Sequence, residues 1–319
     1  MKINVLALNG VFDTGLATVL DAFATANELA ELMGPASVRF QVTTTSVRRA
    51  VRTSLGLTVP VQPIEGPVPD CVVVPAIGYK MPEPLLAALA KPEIREAAEV
   101  LRQWSAQGAT MTAACIGTFV MAESGLLDGH RSTTTWWLAP LFRQRYPNVR
   151  LDESNMVVKS GRVVTAGAAL SHMDLALWLI RQKSPQLASL TAKYLVVDTR
   201  PSQSAYAVVD HLVHSDPLVE SFERWARSNL ARGFSLEKAA SATGSSKRTL
   251  ARRLQAVLGK SPLSYFQSLR VERAVHLLKT SNKTVDDIAG EVGYVDSVTL
   301  RTLLRRHLGQ GVREIRRIV

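Results

Sequence analysis

Residues 236–254 read LEKAASATGSSKRTLARRL, and residues 285–304 read VDDIAGEVGYVDSVTLRTLL. One pattern underlies both. An alanine (Ala240, Ala289) is followed four residues later by a glycine (Gly244, Gly293), and then by a helical stretch with small polar and basic residues on one face. A small residue is needed where two helices cross closely, and glycine suits a tight turn with left-handed backbone. These are the marks of a helix-turn-helix, whose second helix enters the DNA major groove. A single copy is a moderate signal, because helical hairpins are common. Two copies about fifty residues apart make a strong one.

Charge points the same way. From Phe222 to Val319 the chain holds 19 Lys and Arg against 8 Asp and Glu, a net of +11. Residues 1–221 hold 19 of each, so the whole positive excess lies in the C-terminal third. A neutral region joined to a strongly basic one is the electrostatic footprint of a protein that presents one part to a polyanion.

Within the first repeat, Leu250, Leu254 and Val257 recur at helical spacing and are expected to face the core. Arg248 and Arg252 lie four apart on the opposite side, one above the other. Ser246 is a good N-cap, and a helix N-terminus suits a phosphate oxygen. Arginine is the side chain best shaped to read guanine O6 and N7 together. In the second repeat Leu300, Leu303 and Leu304 form the expected buried stripe, leaving Ser297, Thr299, Arg301 and Thr302 outside. The Ser261-Pro262 pair predicts the start of a long linking helix over 262–279, a capping residue followed by proline at the first helical position.

These residues resemble the tandem helix-turn-helix domain of the AraC/XylS family of bacterial transcription regulators, over Phe234–Val319. The resemblance rests on Gly244 to Arg253, on Gly259 to Pro262 and on Tyr265. It implies base or backbone contacts to promoter DNA from Ser246, Lys247, Arg248, Thr249, Arg252 and Arg253, and from Ser297, Val298, Thr299, Arg301 and Thr302. The second copy departs from the family pattern, with Leu300 and Leu304 at usually aromatic core positions and Gly311-Val312 where Ser-Pro is usual.

At 319 residues, two domains are the natural expectation. Upstream of the repeats, strand and helix alternate. Apolar runs at Ile3–Leu8, Val38–Thr45, Asp70–Pro75 and Ala109–Ala114 read as strands, and Val51–Val61 as a hairpin around Gly56. Two more strands flank Ser160-Gly161, and helices are expected near 15–32, 93–107, 117–124 and 168–181. This predicts an α/β, flavodoxin-like fold: a mostly parallel sheet with helices on both faces. From Ser184 to Arg232 the pattern is wholly helical. The expected division is an α/β domain over 1–190, a helical connector over 191–232, and an all-α DNA-binding domain of about seven helices over 233–319.

Cys115 follows a strand and opens a helix, the geometry of a nucleophile elbow. A helix dipole there is expected to support the thiolate. The segments around Cys115 and from Ala122 to Trp136 resemble the PfpI-like branch of the class I glutamine amidotransferase-like superfamily, over most of residues 1–190. In regulators that join such a domain to an AraC-type one, the resemblance implies sensing of a small metabolite and dimerisation. Catalytic members carry a histidine where this chain has Thr135, and an acid on the first helix where it has Gly15. A cysteine without base or orienting group keeps little of the usual machinery. The expectation is a non-catalytic pocket for a small-molecule effector, lined by Gly10, Asp13, Gly15, Ile77, Gly78, Cys115, Ile116, Thr135 and Trp136. A cysteine-dependent hydrolase or lyase, and a thiol redox sensor, stand as alternatives.

Two cysteines make neither a disulfide scaffold nor a metal cage, and no cofactor or metal is expected. No run of about 18 apolar residues is present, and Met1–Gly10 does not read as a signal peptide. A cytoplasmic homodimer bound to double-stranded promoter DNA is the resulting expectation.

Overall fold

The computed structural model describes residues 1–34, 38–198, 200, 202–203, 216–308 and 310–317. It divides into two compact units, Met1–Trp136 with Tyr146–Gln203, and Trp137–Arg145 with Ser204–Val319. In chain order the N-terminal half runs β1 (Lys2–Leu6), α1 (Asp13–Leu32), β2 (Gln41–Thr45), a short hairpin of β3 (Val51–Arg52) and β4 (Thr58–Val59), and β5 (Cys71–Val74). Then come α2 (Pro82–Leu89), α3 (Pro92–Ala106), β6 (Thr110–Ala114), α4 (Gly117–Glu123) and β7 (Arg131–Ser132). Helix α5 (Ala139–Arg145) is grouped with the second unit, and β8 (Arg150–Leu151), β9 (Val157–Ser160), β10 (Val163–Ala166), α6 (Ser171–Lys183) and α7 (Pro185–Tyr194) follow.

Six strands form one sheet in the order β2-β1-β5-β6-β10-β9, parallel except for β9 at the edge. Every residue of β5 is fully buried, as its continuous β-branched run requires of a central parallel strand. Alternate residues serve opposite faces. Cys71 and Val73 join a core with α1, α6 and α7, leaving Val72 and Val74 for the side where α4 packs on β5. Helix α1 buries Leu16, Val19, Ala22, Phe23, Ala26, Leu29 and Ala30, a stripe at the three- and four-residue spacing of one helical face. The parallel sheet and the hairpins at Gly56 and Gly161 agree with the sequence expectation, while α2 and α5 are helices for which the sequence offered no assignment.

The second unit continues with α8 (Pro217–Ser228), α9 (Leu236–Ala242), α10 (Lys247–Leu258), α11 (Pro262–Thr280), α12 (Val285–Glu291), α13 (Ser297–Leu308) and α14 (Val312–Arg317). It holds two small cores sharing one helix. The first packs Phe222 of α8, Ala240 of α9, Leu250 and Leu254 of α10, and Tyr265 and Phe266 of α11. The second packs Ala274 and Leu278 of α11, Ile288 and Ala289 of α12, and Leu300 and Leu304 of α13. The alanine of each repeat is buried and the glycine of each turn has positive φ, 63° at Gly244 and 83° at Gly293.

The expected connector over 191–232 is a correction. Residues up to Tyr194 complete α7 on the α/β core, whereas α8 supplies Val219, Phe222 and Ala226 to the core of the first helix-turn-helix. Residues 204–215 lie outside the described residues.

Candidate nucleic-acid interface and cysteine elbow

Helix α10 begins at Ser246, whose Oγ accepts the Thr249 amide at 3.0 Å and lies 2.9 Å from the Thr249 hydroxyl. Its buried stripe is Leu250, Leu254 and Leu258; Val257, expected inside, is half-buried. Arg248 and Arg252 stand exposed on the far face with no ion pair among the described residues. Two expected DNA contacts are already engaged. Lys247 lies 3.4 Å from Glu237, a solvent-exposed pair worth little and easily exchanged for a phosphate. Arg253 is paired through Nε with the buried carboxylate of Asp216, whose other oxygen accepts the Leu218 and Val219 amides and caps α8. Arg253, expected as a DNA contact, thus also fastens α10 to α8.

Helix α13 is capped by Asp296, which accepts the Thr299 amide at 2.7 Å and the Thr299 hydroxyl at 3.2 Å. Leu300 and Leu304 are buried; Leu303, expected with them, is half-buried. Arg301 is exposed and unpaired among the described residues, and Ser297 is half-buried at the helix start. The Thr302 hydroxyl turns back to the Val298 carbonyl at 2.9 Å. The hydroxyls of Thr299 and Thr302 are thus both occupied within the helix.

Between the two repeats, Arg270 of α11 sits where the cores meet. It is 8% exposed, donates from Nε and Nη2 to the Leu230 carbonyl at 2.9 and 2.6 Å, and lies 4.9 Å from the ring centres of both Phe266 and Tyr294. Phe266 belongs to the first core and Tyr294 packs on the second, so one guanidinium ties the two reading units together. Nothing in the local pattern singled Arg270 out, because its partners Leu230 and Tyr294 lie 24 to 40 residues away.

In the first unit the loops that follow the strands are stitched to one another. Gly10 donates to the Arg52 carbonyl and accepts from Gly78, both at 2.7 Å, and Phe12 donates to Ala76. The Asp13 carboxylate accepts from the Ser54 hydroxyl at 2.8 Å and the Leu55 amide at 3.1 Å. Ile77, Cys115, Ile116 and Thr135 are all at most 3% exposed, and Trp136 is half-buried. Cys115 has φ of +55°, the sharp strand-to-helix turn expected of an elbow. Gly117 behind it is obligatory, since a Cβ there would lie 2.3 Å from the Val74 carbonyl oxygen and 2.7 Å from that of Pro75.

The thiol is a correction. Burial pushes Cys115 up to about 12, outweighing the Ile116 amide and Thr135 hydroxyl that favour the thiolate. Cys71 is likewise pushed up to about 12 by burial. The helix terminus is present, yet desolvation wins over its dipole. Gly15 is a second correction: it lines no open space, because a Cβ there would lie 2.6 Å from His172 Nε2. His172 is fully buried, its Nε2 accepting the Ala76 amide at 3.1 Å and its Nδ1 meeting the Ala169 carbonyl at 2.5 Å. Gln203 is a further residue that the sequence pattern did not single out. It is 1% exposed and donates to the Thr133 hydroxyl and the Thr134 carbonyl at 3.0 and 2.9 Å, while Thr134 donates to the Cys115 carbonyl at 2.9 Å.

Comparison with known families assigns the first unit. The DJ-1/PfpI family pattern matches residues 1–182, more than half of the chain. The chain belongs to the DJ-1/PfpI family. To that domain it joins a helix-turn-helix domain, matched over residues 239–318. Similar curated proteins include the HTH-type transcriptional regulator GbdR of Pseudomonas aeruginosa, 26% identical over 219 residues, covering 67% of this chain and 59% of that one. CdhR of the same species is 28% identical over 213 residues, covering 61% and 59%. The activator RhaS of an Enterobacter species is 35% identical over 136 residues, covering 42% and 48%. The chain thus spans about three-fifths of the length of the regulators GbdR and CdhR. An AraC family regulator structure from Pseudomonas putida superposes with a TM-score of 0.51 at 20% identity, covering 61% of this chain and 98% of that one. A transcriptional regulator structure from Vibrio parahaemolyticus gives 0.51 at 20%, with the same coverage; both similarities concern the fold. Among the described residues no helix is long and apolar enough to cross a membrane.

Within this DJ-1/PfpI domain the buried imidazole has a measurable consequence. Burial holds His172 down at about 4, against the Ala169 hydrogen bond that favours the charged form. An unfolded histidine titrates near 6.5. Between those values the unfolded chain binds a proton that the folded one refuses, so stability is full above about pH 6.5 and falls as pH drops toward 4. The expected loss is about 1.4 kcal/mol per pH unit and about 3 kcal/mol in all. Urea unfolding midpoints from pH 4 to 7 measure it, and His172→Gln should flatten that slope. An unchanged slope in the variant would place the proton uptake elsewhere.

Proposed function

We propose that this chain is a bacterial transcription regulator that binds promoter DNA through α10 and α13 and is controlled by a small molecule at its DJ-1/PfpI domain. One observation carries the reading: two capped helices, built on one linking helix, present Arg248, Arg252 and Arg301, which carry no ion pair among the described residues, from the region that holds the entire +11 excess. The domain senses and does not catalyse. Its cysteine is buried with a thiol held protonated, the family's histidine position is Thr135, and the space above Gly15 is filled by His172. The effector site is the set of loops at the carboxyl ends of the strands, where open α/β sheets bind ligands. Closed as these loops are around Asp13 and Cys115, an effector would act by exchanging their mutual hydrogen bonds for its own. Dimerisation through this domain completes the proposal. Screening metabolites for a rise in melting temperature, and then for a change in DNA affinity, identifies the effector.

For the DNA reading, Arg248→Ala and Arg252→Ala should each cost roughly 1–3 kcal/mol on the preferred duplex and relax base preference at one position. Selection of bound duplexes from a random pool, followed by titration, measures both effects. Substitutions that weaken all sequences equally would reduce these arginines to phosphate contacts.

A further inference from the structure

The caps put the two recognition helices in one register. Ser246 accepts the Thr249 amide as Asp296 accepts that of Thr299, and the buried pair Leu250 and Leu254 matches Leu300 and Leu304. In this register Arg248 corresponds to Val298 and Arg252 to Thr302. At the two places where α10 carries guanidinium donors, α13 carries a methyl-bearing side chain. Val298 is 70% exposed, and Val295 in the preceding turn is fully exposed. Thr302, exposed one turn further on, bonds its hydroxyl to the Val298 carbonyl, so its methyl is the side-chain group without a hydrogen-bonding role.

Val298 presents an apolar tip on a face that is otherwise polar and basic, where a docking partner would gain by covering it. The surroundings say what kind of partner that is. Arg301 and Arg305 follow Val298 on the same helix face, and with Arg313 and Glu314 they line a groove of about 600 Å³ beside α14, three guanidinium groups against one carboxylate. An apolar tip rimmed by guanidinium groups is complementary to the major groove, where phosphates flank base edges. One base there offers an apolar group, the 5-methyl of thymine.

We propose that α13 reads thymine methyl groups through Val298, supported by the Thr302 methyl, while α10 reads guanine through Arg248 and Arg252. The inference rests on the proposed DNA binding and adds that the two halves of the site are read by different chemistry. The preferred duplex is then asymmetric, with guanine under α10 and thymine under α13.

The test uses the full chain and a duplex selected from a random pool, with each thymine replaced in turn by deoxyuridine, which differs only by the missing methyl. Wild type should lose about three- to tenfold affinity at one or two thymines, as expected for methyl groups withdrawn from an apolar contact. Val298→Ser should bind the thymine duplex more weakly by a similar factor and should no longer distinguish thymine from deoxyuridine there. Its melting temperature should be unchanged, since the side chain is exposed. Equal losses on deoxyuridine in wild type and Val298→Ser, or no loss at any thymine, would overturn the inference while leaving DNA binding intact. Failure to enrich any duplex would overturn both.

Discussion

Raising the salt from about 50 to about 200 mM should weaken binding of the full chain to its preferred duplex by about 10³–10⁵-fold, if six to ten phosphates are neutralised. The chain is suited to such contacts because its +11 excess is confined to residues 222–319, where Arg248, Arg252, Arg301 and Arg305 are all exposed. Binding releases condensed counterions, so log affinity falls linearly with log salt. Arg253 should contribute nothing to this slope. It is held by Asp216, and Arg253→Ala should act by loosening α8 from α10. Titrations at four or five salt concentrations give the slope for wild type and for each arginine variant. A nearly flat wild-type slope would remove the polyanion from the account, and a slope reduced by one in Arg253→Ala would return that residue to the interface.

Gly117→Ala should destabilise the DJ-1/PfpI domain by at least about 3 kcal/mol. The added Cβ would meet two backbone oxygens, those of Val74 and Pro75, and backbone cannot move aside as a side-chain end can. Helix α4 would have to lift from β5, taking the Cys115 turn with it. Gly290→Ala is the contrast. That glycine lies inside α12 with nothing within 4 Å of the place an alanine methyl would occupy, so alanine should stabilise by about 0.4–1 kcal/mol through the unfolded chain. Urea denaturation of both variants reads the two signs. A loss below about 1 kcal/mol at Gly117 would mean that the elbow is free to relax.

Much of the fold could be read directly. The β-branched run at Cys71–Val74 and the glycines between strand and helix point to a buried parallel sheet, because only a strand covered on both faces is apolar throughout. The repeats of alanine, glycine and a leucine stripe point to two helix-turn-helix units, because close crossing, tight turning and burial each demand a residue type at a fixed spacing. Helix α2 went unread because it is eight residues long and apolar on average, too short for periodicity to declare itself.

Recognition of the elbow at Cys115 was equally local: strand, sharp turn, helix. Its chemistry was not. A helix N-terminus by itself favours a thiolate, and the opposite shift came from burial of the sulfur, which outweighs the Ile116 amide and the Thr135 hydroxyl and is a property of packing. The same division holds for Gly15, where the chain shows an acid to be missing but only the fold shows His172 in its place, 157 positions later. It holds again for Arg253, whose guanidinium is claimed by Asp216 while its sequence neighbours Arg248 and Arg252 carry no ion pair among the described residues. By itself the sequence determined the sheet, the two reading helices and the face on which charge gathers, since periodicity, composition and net charge are carried by neighbouring residues. Tertiary structure alone decided which arginine is free, whether the thiol ionises and what fills the family's acid position. Each of those depends on desolvation and on partners distant in the chain, and both come into being only when the chain has packed.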